Sequence, residues 1–143
     1  MTLEKKTIET LIETALRQRS FAYAPYSGFR VGAALLDAKG TVHTGCNIEN
    51  AAYGPTNCAE RTAFFKAVSE GVRAFTAICV TGGAGEKPTE LCPPCGVCRQ
   101  VMLEFCKPDF QIILAVDGEH YRIYTLSELI PLGFGLKGEN RHD

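Results

Sequence analysis

Apolar residues recur at helical spacing from the start of the chain. Ile8, Leu11, Ile12, Ala15 and Leu16 follow the i, i+3, i+4 rule, which predicts an amphipathic helix ending near Arg19. "FAYAPYSGF" breaks the pattern, with Pro25 and Gly28 as the punctuation of a loop. Two strands follow, "RVGAALLD" and "TVHTGCNIE", joined through the turn "DAKG". "CAERTAFFKAVSEG" returns to helical spacing. Ala59, Ala63, Phe64, Ala67 and Val68 line its inner side, and Gly71 stops it. "FTAICVTGG" is an apolar run expected of a buried strand, and "AGEKPTELCPP" reads as a loop. "PCGVCRQVMLEFC" is a second core helix, with Pro94 suited to its first turn. "QIILAV" and "HYRIYTL" are strands around "DGE". A short helix "LSELI" and a glycine-containing tail close the chain.

The order is therefore α-β-β-α-β-α-β-β-α. Alternation of strand and helix in the middle favours an α/β fold, a central sheet with helices on its faces. No repeat, low-complexity tract or linker interrupts it, so residues 1–143 are expected to form one domain. Composition agrees: 45% apolar residues can fill a core. Fifteen basic and 16 acidic side chains are mixed along the chain, for a net charge of −1, and no basic block appears. That argues against a stable nucleic-acid partner. The N-terminus lacks the unbroken apolar run of a signal peptide, and no stretch is long enough to span a membrane. A cytoplasmic protein without a membrane partner is expected.

The seven cysteines change the picture. Their number is odd and three fall in "CPPCGVC", which suits metal or redox chemistry in a reducing compartment. Cys95 and Cys98 stand about 60° apart around an ideal helix, so both can reach one metal. Cys58 lies at the start of the other core helix. If both helices pack on one face of the sheet, three sulfurs converge and leave a fourth position open, as in catalytic zinc sites. Glu60 falls about 200° around the helix from Cys58. It reaches that open position only past the helix end, where it suits a general acid–base. The competing reading makes Asn57 and Glu60 a capping box, with Glu60 merely structural. Zinc on three thiolates carries a net negative charge, which helix N-termini, Arg61 and Arg99 are placed to offset. Cys92 is the main decoy: as a fourth ligand it would close the site into a structural one. Cys46, Cys79 and Cys106 read as packing residues. His43, His120 and His142 fall in no ligand motif.

"CAE" followed by "PCGVC" resembles the zinc nucleobase and nucleoside deaminases. "FRVGAAL", "TGCNIENAAYGPTNCAERTA", "PPCGVCRQV" and "LIPLGFG" together are similar to the small homotetrameric cytidine deaminases, in matching order from about Ser20 to Phe134. The resemblance implies a three-layer α-β-α sandwich around a mixed five-stranded sheet, and one zinc ion per subunit held by Cys58, Cys95 and Cys98. It implies hydrolytic deamination of cytidine and 2′-deoxycytidine in pyrimidine salvage, with Glu60 moving protons to ring N3 and to the departing ammonia. Asn47 and Glu49 would hold the ribose, Phe29 would pack against the pyrimidine, and the Ala59 backbone would contact the base. Tyr53 and Phe134 would reach active sites shared between subunits of a homotetramer. Arg61 would compensate the zinc–thiolate charge. Pro93 stands where the family often has Ser. The alternatives are a blasticidin-type or modified-nucleoside deaminase, a zinc-structured binding module using Cys92, and a dithiol oxidoreductase using "CGVC".

Overall fold

The computed structural model describes residues 2–136; the end of the tail, including His142, lies outside them. The first helix, α1 (Lys5–Gln18), runs into a short 3-10 turn at Arg19–Phe21. The hairpin strands β1 (Arg30–Asp37) and β2 (Val42–Cys46) follow, then α2 (Ala59–Ser69) and β3 (Phe75–Gly83). The chain continues through α3 (Gly96–Phe105), β4 (Gln111–Ala115), β5 (Tyr121–Thr125) and α4 (Leu126–Leu129).

The strands form one sheet in the order β2-β1-β3-β4-β5. Only the β3–β4 pair is parallel, because α3 carries the chain back across the sheet between them. The other pairs are antiparallel, so the sheet is mixed, as expected. β1 and β3 sit in its middle and are buried on both faces, which explains their apolar runs.

One face is covered by α1. Ile8, Leu11, Ile12 and Ala15 pack there on Ala34, Cys79 and Ile113, while Leu16 is only half-buried. The other face carries α2, α3 and α4 over Val31, Ala33, Leu35, Ile78 and Ile112. Phe64 of α2 joins these layers. Its ring meets Phe75 edge-on at 5.0 Å and stacks near Phe105 of α3 at 6.4 Å. Aromatic pairs of this kind add about 0.5–1.5 kcal/mol each beyond the area they bury. They hold α2 and α3 side by side on the same face.

Two glycines bring helices unusually close to the sheet. A Cβ on Gly45 of β2 would stand 2.4 Å from the Ala59 carbonyl oxygen and 2.6 Å from the Ala63 nitrogen. α2 therefore lies on β2 at a distance only glycine permits. Gly32 of β1 serves α1 in the same way, with 2.0 Å to the Ala15 carbonyl oxygen.

Candidate active site

Both core helices begin at a cysteine. Cys58 is the N-cap of α2 and Cys95 the N-cap of α3, each with extended backbone. Both therefore lie just outside the helices that the sequence pattern assigns them to. Pro94 accordingly precedes the cap of α3 and does not open the helix. The angular separations of an ideal helix do not apply to residues outside it, so the capping positions aim both sulfurs at the helix ends. Cys98 lies three residues inside α3, and its backbone N–H donates to Cys95 Sγ at 3.5 Å.

The three sulfurs lie within 4.8 Å of one another. Cys58 Sγ and Cys95 Sγ are 3.7 Å apart. Two sulfurs bonded to one tetrahedral zinc at about 2.3 Å stand about 3.8 Å apart. The cluster thus has the dimensions of a zinc site, and its three thiols supply three of four tetrahedral positions. Among the described residues it is the one group of three or more such ligands. Cys92 stays outside it.

Arg61 Nη2 donates to Cys58 Sγ at 3.2 Å. Burial pulls the pKa of its guanidinium down, but hydrogen bonds to Cys58 and Cys98 and their charge together outweigh this and raise it. The Cys58 thiol is pushed down, first by the Cys98 thiol, then by Arg61 and Cys95, while burial opposes this. Cys98 is pushed up as the donor of that pair. Arg99 does not reach sulfur, contrary to expectation. Its Nε donates to the Pro94 carbonyl at 2.8 Å and its Nη1 to the Leu129 carbonyl at 2.7 Å. It braces the segment leading into Cys95 against the end of α4.

Glu60 is 4% exposed, a rare state for a carboxylate. The capping-box reading fails, because with Cys58 as the cap Glu60 is the second residue of the helix, and Asn57 donates instead to Thr62 Oγ1 at 3.1 Å. Burial pushes the Glu60 carboxyl up to about 7, and the charge of Cys58 adds to the rise, while its own backbone amide and Arg61 oppose it. Cys92 lies on the same side and is pushed up to about 11, by burial first and then by Glu60 and Cys58.

Phe29 is 41% exposed and borders this region. A Cβ on Gly82 would meet both Cys92 Sγ at 2.8 Å and Phe29 Cε2 at 3.1 Å, so Gly82 makes room where the ring and the thiol approach. Asn47 and Glu49 both turn toward the Phe29 loop. Asn47 Nδ2 donates to the Phe29 carbonyl at 2.8 Å, and its Oδ1 accepts from Val31 N at 2.9 Å. Glu49 accepts from the backbone of Tyr26 and Ser27 and from the Ser27 hydroxyl. Ala59 is the first residue of α2, where backbone amides have no intrahelical acceptor. Tyr53 stands 95% exposed in the turn before α2. Phe134 is 69% exposed, and its carbonyl accepts from Gln100 of α3 at 3.2 Å.

Gly45, Gly82 and Ser27 escaped the sequence reading. A glycine inside a strand pattern was the available signal for Gly45 and Gly82. Nothing local marks Ser27, whose acceptor lies 22 residues along the chain. An apolar groove lined by Leu103, Leu126, Ile130 and Leu132 sits at the opposite end of α3 and contains no titratable side chain.

Comparison with known proteins agrees with this geometry. Residues 5–114 match the family described as the cytidine and deoxycytidylate deaminase zinc-binding region. A cytidine deaminase of Sporosarcina psychrophila is 50% identical over 127 residues, covering 89% of this chain and 90% of its own. One from Halalkalibacterium halodurans is 50% identical over 133 residues, covering 92% and 97%. The crystal structure of cytidine deaminase from Burkholderia pseudomallei superposes with a TM-score of 0.80 at 46% identity, over 87% of this chain and 97% of that one. A blasticidin-S deaminase of Bacillus cereus is 28% identical over 128 residues, covering 87% and 89%. With three sulfurs at zinc spacing, a buried glutamate beside them and a match over most of its length, the chain belongs to the family of cytidine and deoxycytidylate deaminases that carry this zinc-binding region.

Proposed function

We propose that the protein is a zinc-dependent hydrolase converting cytidine and 2′-deoxycytidine, with water, to uridine and 2′-deoxyuridine plus ammonia. The observation that carries this reading is the buried carboxylate of Glu60 beside three converging cysteines. Cys58, Cys95 and Cys98 would hold the ion. When bound, zinc supplies a Lewis acid and a water whose pKa falls to about 7. Glu60, with a carboxyl raised by burial toward neutrality, takes one proton from the attacking water and passes it to ring N3, then takes the remaining proton from the oxygen bonded to C4 and passes it to the leaving amine. Oxygen bonds to C4, the C4–N4 bond breaks, and the amine departs as ammonia. Arg61 offsets the thiolate charge through its bond to Cys58.

Asn47 and Glu49 hold the ribose, Phe29 flanks the pyrimidine, and the Ala59 backbone contacts the base. The exposure of Tyr53 and Phe134 supports a homotetramer in which these rings complete neighbouring active sites. The whole chain acts as one domain. Seven unpaired cysteines support a reducing, cytoplasmic location, and hydrolysis of free nucleosides fits a role in pyrimidine salvage. Among the described residues no helix is long and apolar enough to cross a membrane.

A closed zinc module would need Cys92 in the cluster, and a dithiol enzyme would leave Cys58 without a task. The similarity to a blasticidin-S deaminase keeps that substrate in the test. An ultraviolet assay of cytidine, deoxycytidine, cytosine, dCMP and blasticidin S, with zinc measured on the same sample, decides. Turnover of the two nucleosides at one zinc per chain is expected. Turnover of blasticidin S alone, or of none, would reject the assignment.

A further inference from the structure

The loop bearing Phe29 is tied to the segment Asn47–Glu49 by a closed set of hydrogen bonds. Glu49 Oε1 accepts from Tyr26 N at 2.9 Å and from Ser27 N at 3.1 Å. The Ser27 hydroxyl donates to Glu49 Oε2 and in turn accepts from Phe29 N–H at 3.0 Å. The Phe29 carbonyl accepts from Asn47 Nδ2 at 2.8 Å. One peptide group on each side of the ring is thus held by the two residues assigned to the sugar, and Ser27 is the relay on one side.

The same segment is anchored toward the thiols. Tyr23 N donates to the Asn47 carbonyl at 3.0 Å, and Glu49 N to the Tyr23 carbonyl at 2.8 Å. Ile48 and Asn57 exchange both backbone bonds at 2.9 Å, and Asn57 precedes Cys58. A continuous backbone path therefore runs from the Phe29 loop through Glu49 to the first cysteine. Glu49 is held below the usual carboxylate range, first by the Ser27 hydroxyl and then by the two backbone amides, so it stands ionised. A carboxylate offers about four acceptor positions. Three are taken by this loop, which leaves about one for a ligand hydroxyl and fixes its direction.

We infer that Ser27 is a positioning residue for nucleoside binding. Its hydroxyl donates to Glu49 and accepts from Phe29 N–H, and so locks the sugar-binding carboxylate and the base-flanking ring into one unit. The inference rests on the reading that Glu49 meets the sugar and Phe29 the base. Ser27 is exposed, as is the loop around it. Water can therefore replace its bonds when the hydroxyl is removed, so the effect falls on ligand geometry more than on folding.

The experiment uses the zinc-loaded protein with Ser27→Ala, Ser27→Thr, Glu49→Gln and the Ser27→Ala/Glu49→Gln double variant. Kinetics with cytidine are paired with calorimetric binding of uridine. Ser27→Ala is expected to raise KM for cytidine and Kd for uridine about tenfold, the loss of roughly one hydrogen bond, with a smaller change in kcat. Ser27→Thr keeps the hydroxyl and stays close to wild type. The double variant is no weaker than Glu49→Gln alone, because both remove the same link. Unchanged KM and Kd in Ser27→Ala, or losses that add to those of Glu49→Gln, would overturn the inference. If the alanine variant loses stability, the threonine variant decides: wild-type affinity supports the relay and alanine-like affinity rejects it. A wild-type protein inactive on cytidine would instead defeat the underlying functional reading.

Discussion

Substituting Gly45 by alanine tests whether the seating of α2 on β2 sets the active site. The added Cβ would lie 2.4 Å from the Ala59 carbonyl oxygen and 2.6 Å from the Ala63 nitrogen. Both are backbone atoms of α2, so no side chain can swing away. Relief to an ordinary contact moves the first turns of α2 outward by about 1 Å, at roughly 1–3 kcal/mol, as for other overpacked sites. That turn carries Glu60 and begins at Cys58. A misplacement of about 1 Å in a reacting constellation costs on the order of 10²-fold in rate. Gly32→Ala is the control. Its Cβ would meet the Ala15 carbonyl oxygen at 2.0 Å, but α1 packs on the opposite face of the sheet. Thermal unfolding, zinc per chain and kcat/KM for cytidine are measured on both variants. Both should lose stability, while Gly45→Ala should lose far more activity and zinc at a comparable loss of Tm. Wild-type turnover in Gly45→Ala, or equal losses in the two variants, would mean that the seating of α2 on β2 does not set the site.

Arg61→Ala removes the donor to Cys58 and leaves the thiolate charge less compensated. Zinc affinity should fall about 10–100-fold, read by competition with a chelator, and unchanged affinity would remove Arg61 from that role. Cys92→Ala should keep one zinc per chain, because its sulfur lies outside the cluster; loss of the metal would mean a closed, four-sulfur site.

Much of the fold was legible because its central elements obey simple patterns. β1 and β3 begin and end where their apolar runs meet turn residues, and both are buried on two faces. The edge strand β2 is shorter than its pattern, since Ile48 leaves β1 to pair with Asn57. The cysteine cluster was legible from spacing, but its geometry was not. Cysteine is not among the usual N-cap residues, so the sequence pattern places the starts of α2 and α3 too early. Val68 was expected inside and is half-buried, whereas Glu60 was not expected among the inner residues and is buried. Patterning places carboxylates in water, and only the packing of α2 against β2 and the thiols shows the exception. Arg99 sits beside a ligand in sequence, yet its side chain turns to two carbonyls that sequence cannot position. The bond between Ser27 and Glu49 was hidden for the same reason: a loop folds back on a distant segment through backbone pairing that no local pattern reveals.

The proposed reaction requires Glu60 to move protons beside a metal held by Cys58, Cys95 and Cys98. Glu60→Gln tests it most directly, because glutamine keeps the size of the side chain and removes the titrating group. Metal analysis and cytidine turnover are made on the same preparation. One zinc per chain is expected, with kcat lowered by about 10²–10⁴-fold, the usual contribution of a general acid–base. Turnover close to wild type with zinc retained would contradict it.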